Sequence, residues 1–122
     1  MENEDFGRQV AELVRSGKFP ALLSLMHGIG LPEGWQEMVR PLFEGYLGQP
    51  VSSSIIPAAE IPEHQQVWLK KAPEDIRKEL KYAVKLSYET VHSVDNKESG
   101  ELILPIIFLD NKWVLLLVGP GD

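Results

Sequence analysis

The chain contains no cysteine. That excludes disulfides, thiolate metal sites and a cysteine nucleophile. Positive charge is also scarce: 12 Lys and Arg stand against 18 Asp and Glu, for a net charge of −6. An acidic surface repels phosphate backbones, and the basic runs at Lys70–Lys71 and Lys78–Lys81 are too sparse to form a nucleic-acid groove. No nucleic-acid partner is therefore expected. The longest apolar stretch, Leu102–Val118, is broken by Asp110-Asn111-Lys112. Neither half reaches the roughly 20 apolar residues of a spanning helix, so no membrane span is expected.

Targeting and motif signals are missing as well. The opening MENEDFGRQV has no basic region followed by an apolar one, so no signal peptide is read there. A cytoplasmic place is the expectation for the chain as it stands, and an extracytoplasmic one if a signal has been removed. Histidine occurs at positions 27, 64 and 92, and no two have metal-ligand spacing. Glu60 and His64 are four residues apart, but Pro62 lies between them. His27 reads as a helix C-terminal residue and His92 as part of a solvated loop. Ser52–Ser54 lacks G-x-S-x-G, and HGIGLPEG has neither a dinucleotide nor a P-loop pattern. No metal and no cofactor is expected.

What is present describes one domain, residues 1–122, long enough for a core without staples. Phe6, Val10, Leu13 and Val14 form one helical stripe, with Glu2, Glu4 and Asp5 at its start and Gly17 as its C-cap. Pro20 opens a short second helix carrying Phe19, Leu22, Leu23 and Met26, which HGIG ends. Trp35, Met38, Val39, Leu42, Phe43, Tyr46 and Leu47 keep a helical stripe past Pro41, which lies on the polar side, so one kinked helix is predicted.

The second half reads mostly as strands. Val51–Ala58 is a weak strand in which Pro57 marks an edge or a bulge. The stretch PEHQQVWLKK fits either a helix or a strand, and APEDIRKEL a short helix. Val84, Leu86, Tyr88 and Thr90 alternate with Lys85, Ser87 and Glu89 as in a half-buried strand, and HSVDNKESG reads as a polar loop. Asp110-Asn111 then joins two apolar strands in a two-residue turn, since both residues tolerate positive φ. The fold class is α+β: N-terminal helices packed on a curved, mainly antiparallel sheet of about four strands.

That turn sets the hairpin register: Leu109 faces Lys112, Phe108 faces Trp113 and Ile107 faces Val114. One face carries Leu102, Leu104, Ile106, Phe108, Trp113, Leu115 and Leu117, and is assigned to the helices. The other carries Ile103, Pro105, Ile107, Leu109, Val114, Leu116 and Val118 and needs a cover of its own. A second copy of the chain is the favoured cover, which makes Ile103, Ile107, Leu109, Val114, Leu116 and Val118 the candidate homodimer face. The other covers are the Ile61–Leu69 segment or a helix of the same chain, a protein partner, and a small apolar ligand. Pro105 cannot donate a ladder bond, so a bulge or an unpaired edge is expected there.

Three stretches together resemble the nuclear transport factor two-like superfamily, a cystatin-like cone of helices wrapped by a curved sheet. VAELVRSGKFPALLSLM is similar to its opening helix, turn and short second helix. WQEMVRPLFEGYLGQPVSSSIIPA is similar to a third helix running through a Gly into a strand, and LPIIFLDNKWVLLLVGP to the closing hairpin. Asp-Asn stands here where Asp-Gly is commoner. The resemblance implies a pocket between sheet and helices and frequent dimers through the outer sheet face. Isomerases and dehydratases of that superfamily place a carboxylate or His beside Tyr or Asp in the pocket.

The aromatic candidates for such a pocket are Trp35, Tyr46, Tyr88 and Trp113. The acidic residues instead fall in polar runs, and the inferred inner faces are nearly all aliphatic. The functional expectation is a non-catalytic domain acting through its surfaces, homodimeric and able to bind a partner. The alternative is a small-molecule binder, or an isomerase- or dehydratase-like enzyme, using that cavity.

Overall fold

Helix α1, Asn3–Arg15, starts with Glu4 and Asp5 at its positive end and buries Phe6, Val10 and Val14 on one side. It ends in a Schellman motif: the Gly17 N–H bonds the Val14 carbonyl at 3.0 Å and the Lys18 N–H bonds that of Leu13 at 2.9 Å. Gly17 sits at φ +68°, where a Cβ would be strained. The turn feeds α2, Phe19–Leu23, which has Pro20 in its first turn. Helix α3, Trp35–Glu44, runs through Pro41 without a break, as its stripe predicted.

The computed structural model describes residues 2–119. Its five strands are β1 Met26–Ile29, β2 Ser52–Pro57, β3 Tyr82–Ser93, β4 Asn96–Leu109 and β5 Lys112–Val118. They form one curved, open sheet in the order β1-β5-β4-β3-β2, antiparallel except where β1 runs parallel to β5. Pro57 closes the edge strand β2, where a missing N–H is tolerated. A one-turn 3₁₀ helix, Ala58–Glu60, then leads into α4, Glu63–Leu69, and α5, Glu74–Glu79.

The closing hairpin has the register its turn residues required. Asp110 and Asn111 adopt φ +51° and +65°, and Leu109, Phe108 and Ile107 face Lys112, Trp113 and Val114. The β4–β5 register runs only to Ile106–Leu115. In a two-residue hairpin the hydrogen-bonded pairs alternate from the turn, and the next would fall at Pro105, which has no N–H to give. Strand β4 is nonetheless a central strand: Pro105 faces Ala83 of β3, and the β4–β5 register stops one residue short of it while β5 carries β1 on its other edge.

Two expectations need correction. Met26 is not in the second helix: Met26–Ile29 is a strand at the sheet edge, opposite Leu115–Val118, so there are five strands rather than about four. His27 accordingly lies in a strand, opposite Leu116. HSVDNKESG is not a loop. It continues β3 and β4 into a long two-stranded ribbon that turns at Val94–Asp95, with a register shift between Val91 and Ser93. In addition, Met38 and Leu42 sit on the solvent side of α3, 64% and 53% exposed, outside the core stripe assigned to them.

The sheet has a core on each face. On the inner side Phe6, Val10, Val14, Phe19, Leu22 and Phe43 pack on Val84, Leu86, Leu104, Ile106 and Leu115. On the outer side Ile61, Leu69, Ile76 and Leu80 pack over Ala83, Ile107, Val114 and Leu116. Helices α4 and α5, seven and six residues long, are too short to persist alone and are held by this packing.

Candidate functional site

The outer sheet face is covered by the chain itself. Ile107, Val114 and Leu116 are buried, and Ile103, Leu109 and Val118 are partly buried against the same cluster. Of the six residues of the expected homodimer face, Ile107, Val114 and Leu116 share a buried cluster with Ile61 and Leu69, while Ile103, Leu109 and Val118 keep part of their surface exposed. Each Leu or Ile removed from water contributes roughly 1.5–3 kcal/mol, which holds the two short helices in place.

The inner space is filled too. Phe19 and Phe43 meet at 5.9 Å within the core, and Trp35, Tyr46, Tyr88 and Trp113 pack against its margin. The four pocket candidates lie in different surroundings. Trp35 lies against Gly28 of β1, where an added Cβ would come within 3.1 Å of its ring. Trp113 meets Phe108 at 5.3 Å and Tyr82 at 6.5 Å, both edge-on. Tyr46 and Tyr88 come together, edge-on at 5.5 Å.

The inner face therefore presents a different cluster at each end. Towards the β3–β4 tip, the Tyr46 hydroxyl donates to the Glu101 carbonyl at 2.9 Å, and the Tyr88 hydroxyl to Glu98 Oε1 at 3.2 Å. His92 Nε2 lies 3.3 Å from Glu98 Oε2. Glu98 thus bridges Tyr88 and His92 on an exposed ribbon. Desolvation, then the bond from its hydroxyl to Glu98 and that carboxylate's charge, holds the Tyr88 pKa above its ordinary value. At the other end, Tyr82 and Phe108 flank Trp113 yet remain 39% and 44% exposed.

The outer cover creates a feature of its own. The 3₁₀ turn, α4 and α5 leave between them a cleft of about 260 Å³ lined by Ala58, Leu69 and Leu80, with Gln66, Lys70 and Arg77 around it. The Gln66 side chain is fixed by a 2.6 Å bond to the Ile61 carbonyl. The sequence marked this segment only as a contender to cover the sheet, and no motif within it points to a cleft.

Among the described residues no group of three or more His, Asp or Glu could hold a metal, and no polar or charged side chain is fully buried. No helix of the described residues is long and apolar enough to cross a membrane. Comparison with family models, curated proteins and solved structures found no match for the chain.

Proposed function

We propose that this protein is a non-catalytic binding module of the nuclear transport factor two-like kind, acting through its surface rather than an internal pocket. The observation that carries the reading is the filled inner space. Phe19 and Phe43 are buried there, and Trp35, Tyr88 and Trp113 close its margin. A pocket enzyme would need polar groups aimed into a cavity at that place. The order of elements supports the family reading: two helices joined at a Gly turn, a third helix followed by a turn through Gly48 into β2, and a closing hairpin at Asp110-Asn111.

With the outer face occupied, self-association falls to the aromatic end of the inner face. Tyr82 and Phe108 are held edge-on against Trp113 and still exposed, the kind of rigid aromatic anchor that dominates interfaces. A two-fold pair would set this patch against its own copy. Sedimentation velocity over a micromolar concentration series tests it. The wild type should sediment as a dimer and Phe108→Lys as a monomer. A wild type that stays monomeric throughout sinks the self-association.

A further inference from the structure

We propose that the cleft between the 3₁₀ turn, α4 and α5 binds a small amphipathic carboxylate, its chain on the apolar floor and its head group held by Lys70 and Arg77. The two halves of that chemistry come from different observations. Ala58, Leu69 and Leu80 supply an aliphatic surface in a cleft of about 260 Å³. That is slightly below the roughly 300 Å³ at which drug-sized sites begin, so the ligand is small.

The charge comes from cations that the rest of the molecule leaves free. Arg8, Arg15, Arg40, Lys78, Lys85 and Lys97 each lie within 3.9 Å of a carboxylate. Lys71 is turned over the Trp68 ring at 4.7 Å. Lys18, Lys70, Arg77, Lys81 and Lys112 have no carboxylate partner among the described residues, and of these only Lys70 and Arg77 line this cleft. Lys70 lines it from the C-cap of α4 and Arg77 from within α5. Arg77 offers a planar fork suited to a carboxylate, and Lys70 a mobile point charge. An inorganic anion would leave the aliphatic floor unused, and a neutral hydrocarbon would leave both cations unused.

The site is separate from the aromatic end of the inner face and does not depend on self-association. The test is titration of the full chain with sodium octanoate below its micelle concentration, followed by amide proton–nitrogen correlation spectra, with 1-octanol and sodium sulfate as controls. Octanoate should give saturable shifts at Ala58, Leu69, Lys70, Arg77 and Leu80, and both controls should bind far more weakly. The pair Lys70→Glu with Arg77→Glu should weaken octanoate at least about tenfold, which is about 1.4 kcal/mol. Lys70→Gln with Arg77→Gln should weaken it less, which guards against charge reversal disturbing α5. Both side chains are exposed, so the fold should survive either change. The absence of saturable shifts at these residues overturns the proposal. So does unchanged affinity in the charge-reversed pair, or sulfate binding as tightly as octanoate.

Discussion

Tyr88 packs directly against Gly100, its partner across the β3–β4 ladder: a Cβ added to Gly100 would lie 2.6 Å from the Tyr88 ring and 3.0 Å from that of Tyr46. Neither ring can swing away freely, because each hydroxyl is tied down, one to the Glu101 carbonyl and one to Glu98. Gly100→Ala should therefore destabilise the fold by about 1–3 kcal/mol, outweighing the entropy gained by replacing a strand glycine. Urea unfolding measures it. In a Tyr88→Ala background the same change should cost less, because the closer of the two ring contacts is gone and Tyr46 gains room to yield.

The same tyrosine carries a pH dependence. Its raised pKa means that the folded chain holds the phenolic proton more tightly than the unfolded chain does. The stability this contributes is fully present below the unfolded value near 10.0 and is lost as pH rises through the folded value. Tyrosinate absorbance, taken as the difference between wild type and Tyr88→Phe, should place Tyr88 above the ordinary phenol range. Glu98→Gln removes the carboxylate charge and should bring it down. An unchanged midpoint in Glu98→Gln would show that Glu98 has no part in the shift.

The closing turn invites a stabilising change. Asp110 and Asn111 both hold positive φ, the mirror-image turn that suits the twist of the flanking strands. Asparagine tolerates that region and glycine occupies it without strain. Asn111→Gly should raise stability by roughly 0.5–1 kcal/mol, read as a higher urea midpoint at unchanged slope.

Legibility in the sequence followed how local each signal was. The Asp110-Asn111 register could be read because the turn residues fix it without help from the rest of the chain. Helix α1 could be read because its stripe, acidic start and Gly17 cap agree. Strand β1 could not: it has four residues, Met26 continues the apolar run of α2, and its only sheet partner is β5, at the far end of the chain. The β3–β4 ribbon was hidden for another reason. Its outer part projects past the helices with both faces in water, so no apolar alternation marks it. Lys97, which reads as a loop charge along the chain, lies 3.9 Å from Glu89 across the ribbon.

The cover of the outer face was the most consequential ambiguity, and two substitutions separate the covered face from the open one. The hairpin shows two apolar faces in sequence, and nothing local says whether a second copy or residues 58–80 will meet the second. Leu116 is 2% exposed beneath that segment, while Phe108 is 44% exposed at the aromatic end. Leu116→Lys would place an ammonium group in an aliphatic core with no carboxylate in the surrounding cluster. It should destabilise the isolated chain severely, by more than about 4 kcal/mol, with loss of the cooperative thermal transition. Phe108→Lys adds the same charge on the same hairpin at a position already in water, and should shift the melting temperature by only a few degrees. Circular dichroism melts of the two variants, side by side, read the difference. If Leu116→Lys melts like the wild type, residues 58–80 do not cover the outer face in solution.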